Sequence, residues 1–214
     1  MSSEPVLSQF GRFIVIHEES FEGVGLSSNV YVLKSLEGYC IFDASGHPDL
    51  LSFLISAGIE KDRILGVFLT HGHYDHVTGL VSLLGTNIKA FINQKDRSLL
   101  ESYLGPREVS DISEGIQLLE KMGLKALPTP GHTPGSTCYY SEGERLLISG
   151  DTVFADGYFG RTDLAGGSDS DMKASLKYLS ALEVKSLLPG HGNYILDGGS
   201  KAISLALSNA NYLL

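Results

Sequence analysis

Hydrophobic and polar positions alternate with two periods along the chain, and the switches between them mark out short strands and longer helical runs. Residues 12–18 (RFIVIHE), 29–35 (NVYVLKS) and 39–43 (YCIFD) are rich in β-branched and aromatic side chains, which suit a pleated surface, and predict three early strands. His47, Pro48 and Asp49 open a predicted helix over 49–57, where Leu50, Phe53, Leu54 and Ala57 share one face before Gly58 ends it. The continuous apolar run 63–69 has the pattern of a strand covered on both faces, and 77–84 predicts a helix. Further strands are expected at 125–129, 136–140, 145–149 and 186–188. Helices are expected at 169–182, with Met172, Leu176, Leu179 and Leu182 on one face, and at 200–212. The segment 112–124 carries both signals. Ile112, Ile116, Leu119 and Met122 suit a helix, Gly115 and Gly123 suit a hairpin, and strands are the expectation there. No linker, charge block or repeat interrupts the alternation, so 1–214 reads as a single domain.

Composition narrows the class. A chain of 214 residues, 43% hydrophobic, can bury a full core without disulfides. With 16 Lys and Arg against 25 Asp and Glu, the net charge of −9 argues against a nucleic-acid or membrane-surface partner. A small anionic substrate stays open, because a bound metal ion can outweigh the global charge locally. Residues 1–5 show neither a basic start nor an apolar run, so no secretory signal is expected, and no stretch of about 18 apolar residues suggests a membrane span. Cys40 and Cys138 sit in apolar strands and are expected to be buried thiols in a reducing cytoplasm.

The histidines carry the chemistry. Five of the 7 lie in three short motifs, each following a predicted strand, where a rigid sheet can present ligands to a common point. In Thr70-His71-Gly72-His73-Tyr74-Asp75-His76 the first two histidines project to one side of extended backbone, and Asp75 and His76 turn back toward the same space. Four ligand-type side chains there could surround one or two metal ions. His132 stands between rigid turns in Pro130-Gly131-His132-Thr133-Pro134-Gly135, and His191 follows another strand and a Pro-Gly turn. Asp151 ends the apolar strand Leu147-Ile148-Ser149-Gly150; a carboxylate can bridge two ions where an imidazole does not. His17 and His47 lie outside these motifs and are expected to be structural.

The set His71-x-His73-x-Asp75-His76, then His132, Asp151 and His191 in that order, resembles the metallo-β-lactamase superfamily over almost the whole chain. The resemblance implies an α/β fold, an αββα four-layer sandwich of two sheets packed face to face with helices outside. It also implies a dinuclear centre at one sheet edge. By the family pattern His71, His73 and His132 would hold one metal, Asp75, His76 and His191 the other, and Asp151 would bridge them. Two divalent ions, Zn²⁺ or a mixture with Fe or Mn, would make hydroxide available at neutral pH. Asp75 is then the candidate for orienting the nucleophile. No Gly-x-Ser-x-Gly elbow offers a protein nucleophile instead.

Gly160-Arg161-Thr162-Asp163 resembles the signature of compact glyoxalase II-like hydrolases and of persulfide dioxygenases. That resemblance implies a thioesterase of the acylglutathione type, with Arg161 as an anion contact or, equally, as a structural pair with Asp163. Tyr158 and Phe159 stand where the relatives carry small residues, which favours a more apolar pocket, and Tyr194 could reach substrate or pack at the rim. Only a helix is expected after His191, with no glutathione-binding domain. Three alternatives remain. One is a persulfide dioxygenase holding one Fe(II) at His71, His132 and Asp151. The others are a lactonase on the same centre and a non-catalytic metal-binding module.

Overall fold

The computed structural model describes residues 7–21 and 25–214; residues 1–5, read above for a signal, lie outside them. Among the described residues two sheets form. The first runs in chain order through β1 (Leu7–Phe10), β2 (Phe13–Ile16), β3 (Val30–Lys34), β4 (Tyr39–Phe42), β5 (Ile64–Phe68), β6 (Ala90–Ile92) and β7 (Ser110–Asp111). Its first four strands make an antiparallel meander, and β4 to β7 lie parallel. The second sheet comprises β8 (Lys125–Pro128), β9 (Thr137–Ser141), β10 (Leu146–Gly150) and β11 (Ser186–Pro189), in the order β11-β10-β9-β8 with β10 and β11 parallel. The helices are α1 (Leu50–Ser56), α2 (Tyr74–Val77), α3 (Arg97–Leu104), α4 (Ile112–Lys121), α5 (Asp169–Leu179) and α6 (Gly199–Leu213).

The two-residue period of each strand sorts its side chains into separate cores. On β3, Val30 and Val32 face an outer cluster with Leu50 and Leu54 of α1 and Leu100 of α3, while Tyr31 and Leu33 point between the sheets. On β4, Tyr39 and Ile41 face outward and Cys40 and Phe42 inward. The second sheet repeats the rule. Tyr139, Ile148 and Leu188 fill the space between the sheets, and Cys138, Leu147 and Leu187 pack outward against Met172, Leu176 and Leu179 of α5 and Ile203 and Ala206 of α6. Helix, sheet, sheet and helix thus stack as four layers, the αββα sandwich expected. Buried tyrosines cross between the sheets to backbone carbonyls: Tyr31 Oη donates to Pro189 O at 2.6 Å and Tyr139 Oη to Leu69 O at 2.7 Å.

Two expectations are corrected. The segment 112–124 is not a pair of strands; it forms α4, which Asp111 opens as N-cap. Asp111 Oδ1 accepts from Ser113 N at 2.9 Å, and Glu114 Oε1 accepts from Asp111 N at 3.3 Å, a reciprocal capping box. Gly115 does not break this helix: a Cβ there would lie 2.6 Å from the Phe68 ring, so glycine is what lets α4 approach β5. The helix expected at 77–84 is one α turn, α2, followed by 3-10 turns over Thr78–Leu83. In a continuing α-helix Asp75 O would accept from Gly79 N. Here it accepts from Ser28 N at 3.1 Å, and Gly79 N turns to Ala44 O at 3.1 Å.

Both cysteines are free, buried thiols, and burial pushes Cys40 up to about 12 and Cys138 up to about 11. No helix among the described residues is long and apolar enough to cross a membrane.

Candidate metal centre

The ligand-type side chains come from the carboxyl ends of strands. His71 and His73 lie in the turn after β5, and Asp75 and His76 in α2, which that turn enters. His132 sits in the β8–β9 connection, Asp151 just after β10 and His191 just after β11. The structure brings all seven together. Donor atoms of His71, His73 and His132 lie within 4.8 Å of one another, as do those of Asp75, His76 and His191, and those of His71, His76 and Asp151. Asp151 stands between the two halves. Its Oδ1 is 3.3 Å from His76 Nε2, and its Oδ2 is 3.6 Å from His132 Nε2 and 3.5 Å from His191 Nε2.

The nitrogens turned away from this cluster are held. His71 Nδ1 meets Thr70 Oγ1 at 3.1 Å, and His132 Nδ1 donates to the Arg161 carbonyl at 2.7 Å. His76 Nδ1 donates to Asp43 Oδ2 at 2.9 Å, and His191 Nδ1 to Glu18 Oε2 at 2.8 Å. Fixing one ring nitrogen in this way sets the tautomer and aims the other inward. Three carboxylates in this frame escaped the sequence reading. Asp43, directly after β4, also accepts from Thr70 N at 2.8 Å; its signal was a charged residue closing an apolar strand. Asp96, fully buried, accepts from Gly72 N at 3.0 Å, Gly135 N at 2.7 Å and Thr133 Oγ1 at 2.6 Å, and so joins the His71–His73 turn to the His132 turn. Glu18 gave no signal at all.

The fit to metal ions rests on what the cluster leaves unsatisfied. His71 Nε2 and Asp151 Oδ1 are buried without a hydrogen-bond partner, and His73 Nδ1 faces His132 Nε2 at 2.8 Å. A buried orphan nitrogen, a buried orphan carboxylate oxygen and two ring nitrogens turned on each other are what cations between them would satisfy.

The metallo-beta-lactamase superfamily model matches residues 23–191. The chain belongs to the metallo-beta-lactamase superfamily. The probable metallo-hydrolase YqgX of Bacillus subtilis is 30% identical over 187 residues, covering 78% of this chain and 86% of that protein. An uncharacterized protein of Aquifex aeolicus is 37% identical over 150 residues, 59% of this chain and 70% of its own. Among solved structures, TTHA1623 in a di-iron-bound form superimposes with a TM-score of 0.71 at 29% identity, over 83% of this chain and 93% of that one. A metallo-beta-lactamase from Erythrobacter litoralis, at 19% identity, shares the fold with a TM-score of 0.78 over 98% and 97% of the two chains.

Proton and metal would compete for these side chains. Burial, with the neighbouring His76 and His132, holds His71 well below the usual imidazole value, and burial with His132 lowers His73 to about 4. Burial would lower His76 as well, but Asp43 and Asp151 outweigh it and push it up to about 10. In His191 burial is likewise outweighed by hydrogen bonds to Asp151, Asp75 and Glu18, which push it up to about 12. Asp151 is held well below the carboxylate range: burial opposes this, but His76 and His191 overcome it.

The three expected substrate contacts lie as follows. The Arg161 guanidinium is exposed and held by Asp163, Nε to Oδ1 at 2.9 Å and Nη2 to Oδ2 at 2.8 Å, while its carbonyl serves His132. Tyr158 is exposed, and its neighbour Phe159 turns away to pack partly buried against the α5–α6 core. Tyr194 stacks between Phe10, with ring centroids 5.3 Å apart, and His17, at 5.7 Å, so its ring is a packing element beneath the β1 and β2 edge. The Phe154 ring, not singled out from sequence, lies 6.3 Å from the His191 ring.

Proposed function

We propose that the protein is a hydrolase working through two divalent metal ions on a thioester of the acylglutathione type, or a related small acyl compound. One observation carries the reading: two complete groups of ligand-type side chains share a single carboxylate, Asp151, with one oxygen toward His76 and the other toward His132 and His191. Histidine and aspartate together suit zinc, iron or manganese. When bound, such ions supply Lewis acidity and hydroxide at neutral pH.

The chain's own residues do the rest. Asp75, with Oδ2 3.2 Å from His191 Nε2, orients the nucleophile, and Asp43, Glu18, Thr70 and the Arg161 carbonyl keep four imidazoles aimed. Phe154 and Tyr158 offer apolar surface to the acyl group. Arg161 can receive a thiol carrier's carboxylate by giving up its exposed partner Asp163. The net charge of −9 favours a small molecule over nucleic acid or an anionic membrane as partner.

A panel tests this: purified metal-loaded protein against acylglutathiones, other thioesters, lactones and glutathione persulfide, following thiol release, ring opening and oxygen uptake. Thiol release from a thioester is the expected result. Oxygen uptake with persulfide would replace the reading with the dioxygenase one, and preferred lactone opening with a lactonase.

A further inference from the structure

We propose that Glu18 is a positioning residue for the metal held by Asp75, His76 and His191, and that its carboxylate helps make that half of the centre the tighter one. The inference rests on the dinuclear reading above and adds a residue and an order of binding to it.

Glu18 reaches His191 across 173 residues of chain and grips it at two points. Oε2 accepts from His191 Nδ1 at 2.8 Å, and Oε1 accepts from the next backbone amide, Gly192 N, at 2.9 Å. The grip is itself braced. Glu18 N donates to Asn29 Oδ1 at 2.9 Å, and Asn29 Nδ2 donates to Pro189 O at 3.2 Å and Gly192 O at 2.9 Å. Asn29 N donates to Gly190 O at 2.8 Å, so the start of the 3-10 turn Glu18–Phe21 and the head of β3 together clasp the turn carrying His191.

This makes the two halves of the centre unequal. In the second half both histidines carry a carboxylate on the outer nitrogen, Asp43 on His76 and Glu18 on His191, and the third ligand, Asp75, is itself a carboxylate. In the first half the outer nitrogen of His71 meets the Thr70 hydroxyl, which itself donates to Asp43, and that of His132 meets a backbone carbonyl, so neither touches a carboxylate directly. A carboxylate on the far nitrogen raises the basicity of an imidazole ligand and fixes its ring. The second half therefore has carboxylates in direct contact with its imidazoles that the first lacks, and a divalent cation binds it first. Asp43 cannot be probed cleanly, because it is buried and also holds Thr70. Glu18 can, since its side chain is 28% exposed and an amide there strands no buried partner.

The test is stepwise loading of metal-free protein with cobalt(II) against a competing chelator, read by visible absorption, for wild type, Glu18→Gln and Glu18→Ala. Wild type is expected to take two ions in two steps. Glu18→Gln should weaken the tighter step about 10–100-fold and leave the weaker step unchanged. Glu18→Ala, which also loses both hydrogen bonds, should weaken the same step at least as far. Unchanged steps in both variants, equal weakening of both steps, or weakening of the looser step alone would overturn the inference while leaving the dinuclear centre standing. A wild type that takes fewer than two ions would overturn both.

Discussion

Gly190 shows how tightly the side chains of the centre are fitted. A Cβ at this position would lie 2.2 Å from Asp151 Oδ1 and 2.7 Å from His76 Cε1, so Gly190→Ala must move the carboxylate shared by the two halves. The expected outcome is a folded protein, unchanged in far-ultraviolet circular dichroism, that retains at most one metal ion per chain after gel filtration; full metal content would contradict it. The seven ligand-type side chains that the structure brings together were legible in sequence because each lies in a short motif at the end of an apolar strand. Asp43, Asp96 and Glu18 were not, because a supporting carboxylate is defined by its partner. Those partners lie far along the chain: His76 for Asp43, Gly135 for Asp96, His191 for Glu18. Arg161 was legible in both of its readings, and the ion pair with Asp163 is the one its side chain adopts.

Between elements, Asp96 is the joint. It precedes α3 and binds the turn after β5 to the turn after β8 through three donors, although burial raises its carboxyl above the ordinary value against the pull of those same hydrogen bonds. In Asp96→Asn one amide N–H would point at a backbone N–H. The expected loss is about 1.5–3 kcal/mol of stability, the range for a hydrogen bond to a charged group, measured by urea unfolding of the metal-free protein. A change within error would show that the two turns are held without it. The misreading of 112–124 belongs to this scale too. Asp111 and Glu114 stood three residues apart as a capping signal, but Gly115 and Gly123 were read as breaks. Only the Phe68 ring beneath Gly115 explains why that glycine sits inside a helix, and no local pattern discloses a contact made by another strand. Strands such as β3 and β5, buried on both faces over most of their length, were found because such burial leaves a nearly continuous run of apolar, β-branched and aromatic residues.

Over the whole molecule, the metal-free fold is poised between two sets of histidines. His71 and His73 resist protonation when folded, so the unfolded chain takes up protons near the ordinary value of 6.5 that the folded chain refuses until about 4 for His73. Their contribution is complete above 6.5 and is lost as pH falls from there toward 4. His76 and His191 act in the opposite sense. Raised to about 10 and about 12, they hold protons that the unfolded chain has released, and their contribution, complete below 6.5, is lost as pH rises toward those values. Urea unfolding of metal-free protein across pH should therefore show greatest stability near 6.5, with loss on both sides. A stability that climbs steadily from pH 6.5 to 9 would contradict the assignment. Metal loading at pH 8 should release protons, because the ions displace those on His76 and His191.

The acidity of the chain also takes on a local meaning. Among the 25 acidic residues, Asp75 and Asp151 belong to the groups that could hold metal ions, and Asp43 and Glu18 hold the outer nitrogens of His76 and His191, so the acidity at this sheet edge would serve cations. Elemental analysis of the protein purified without added metal or chelator tests this most directly. Two divalent ions per chain are expected for wild type, falling to one or none in Asp151→Ala. A single iron per chain in wild type, or two ions kept intact in Asp151→Ala, would contradict a centre built on one shared carboxylate.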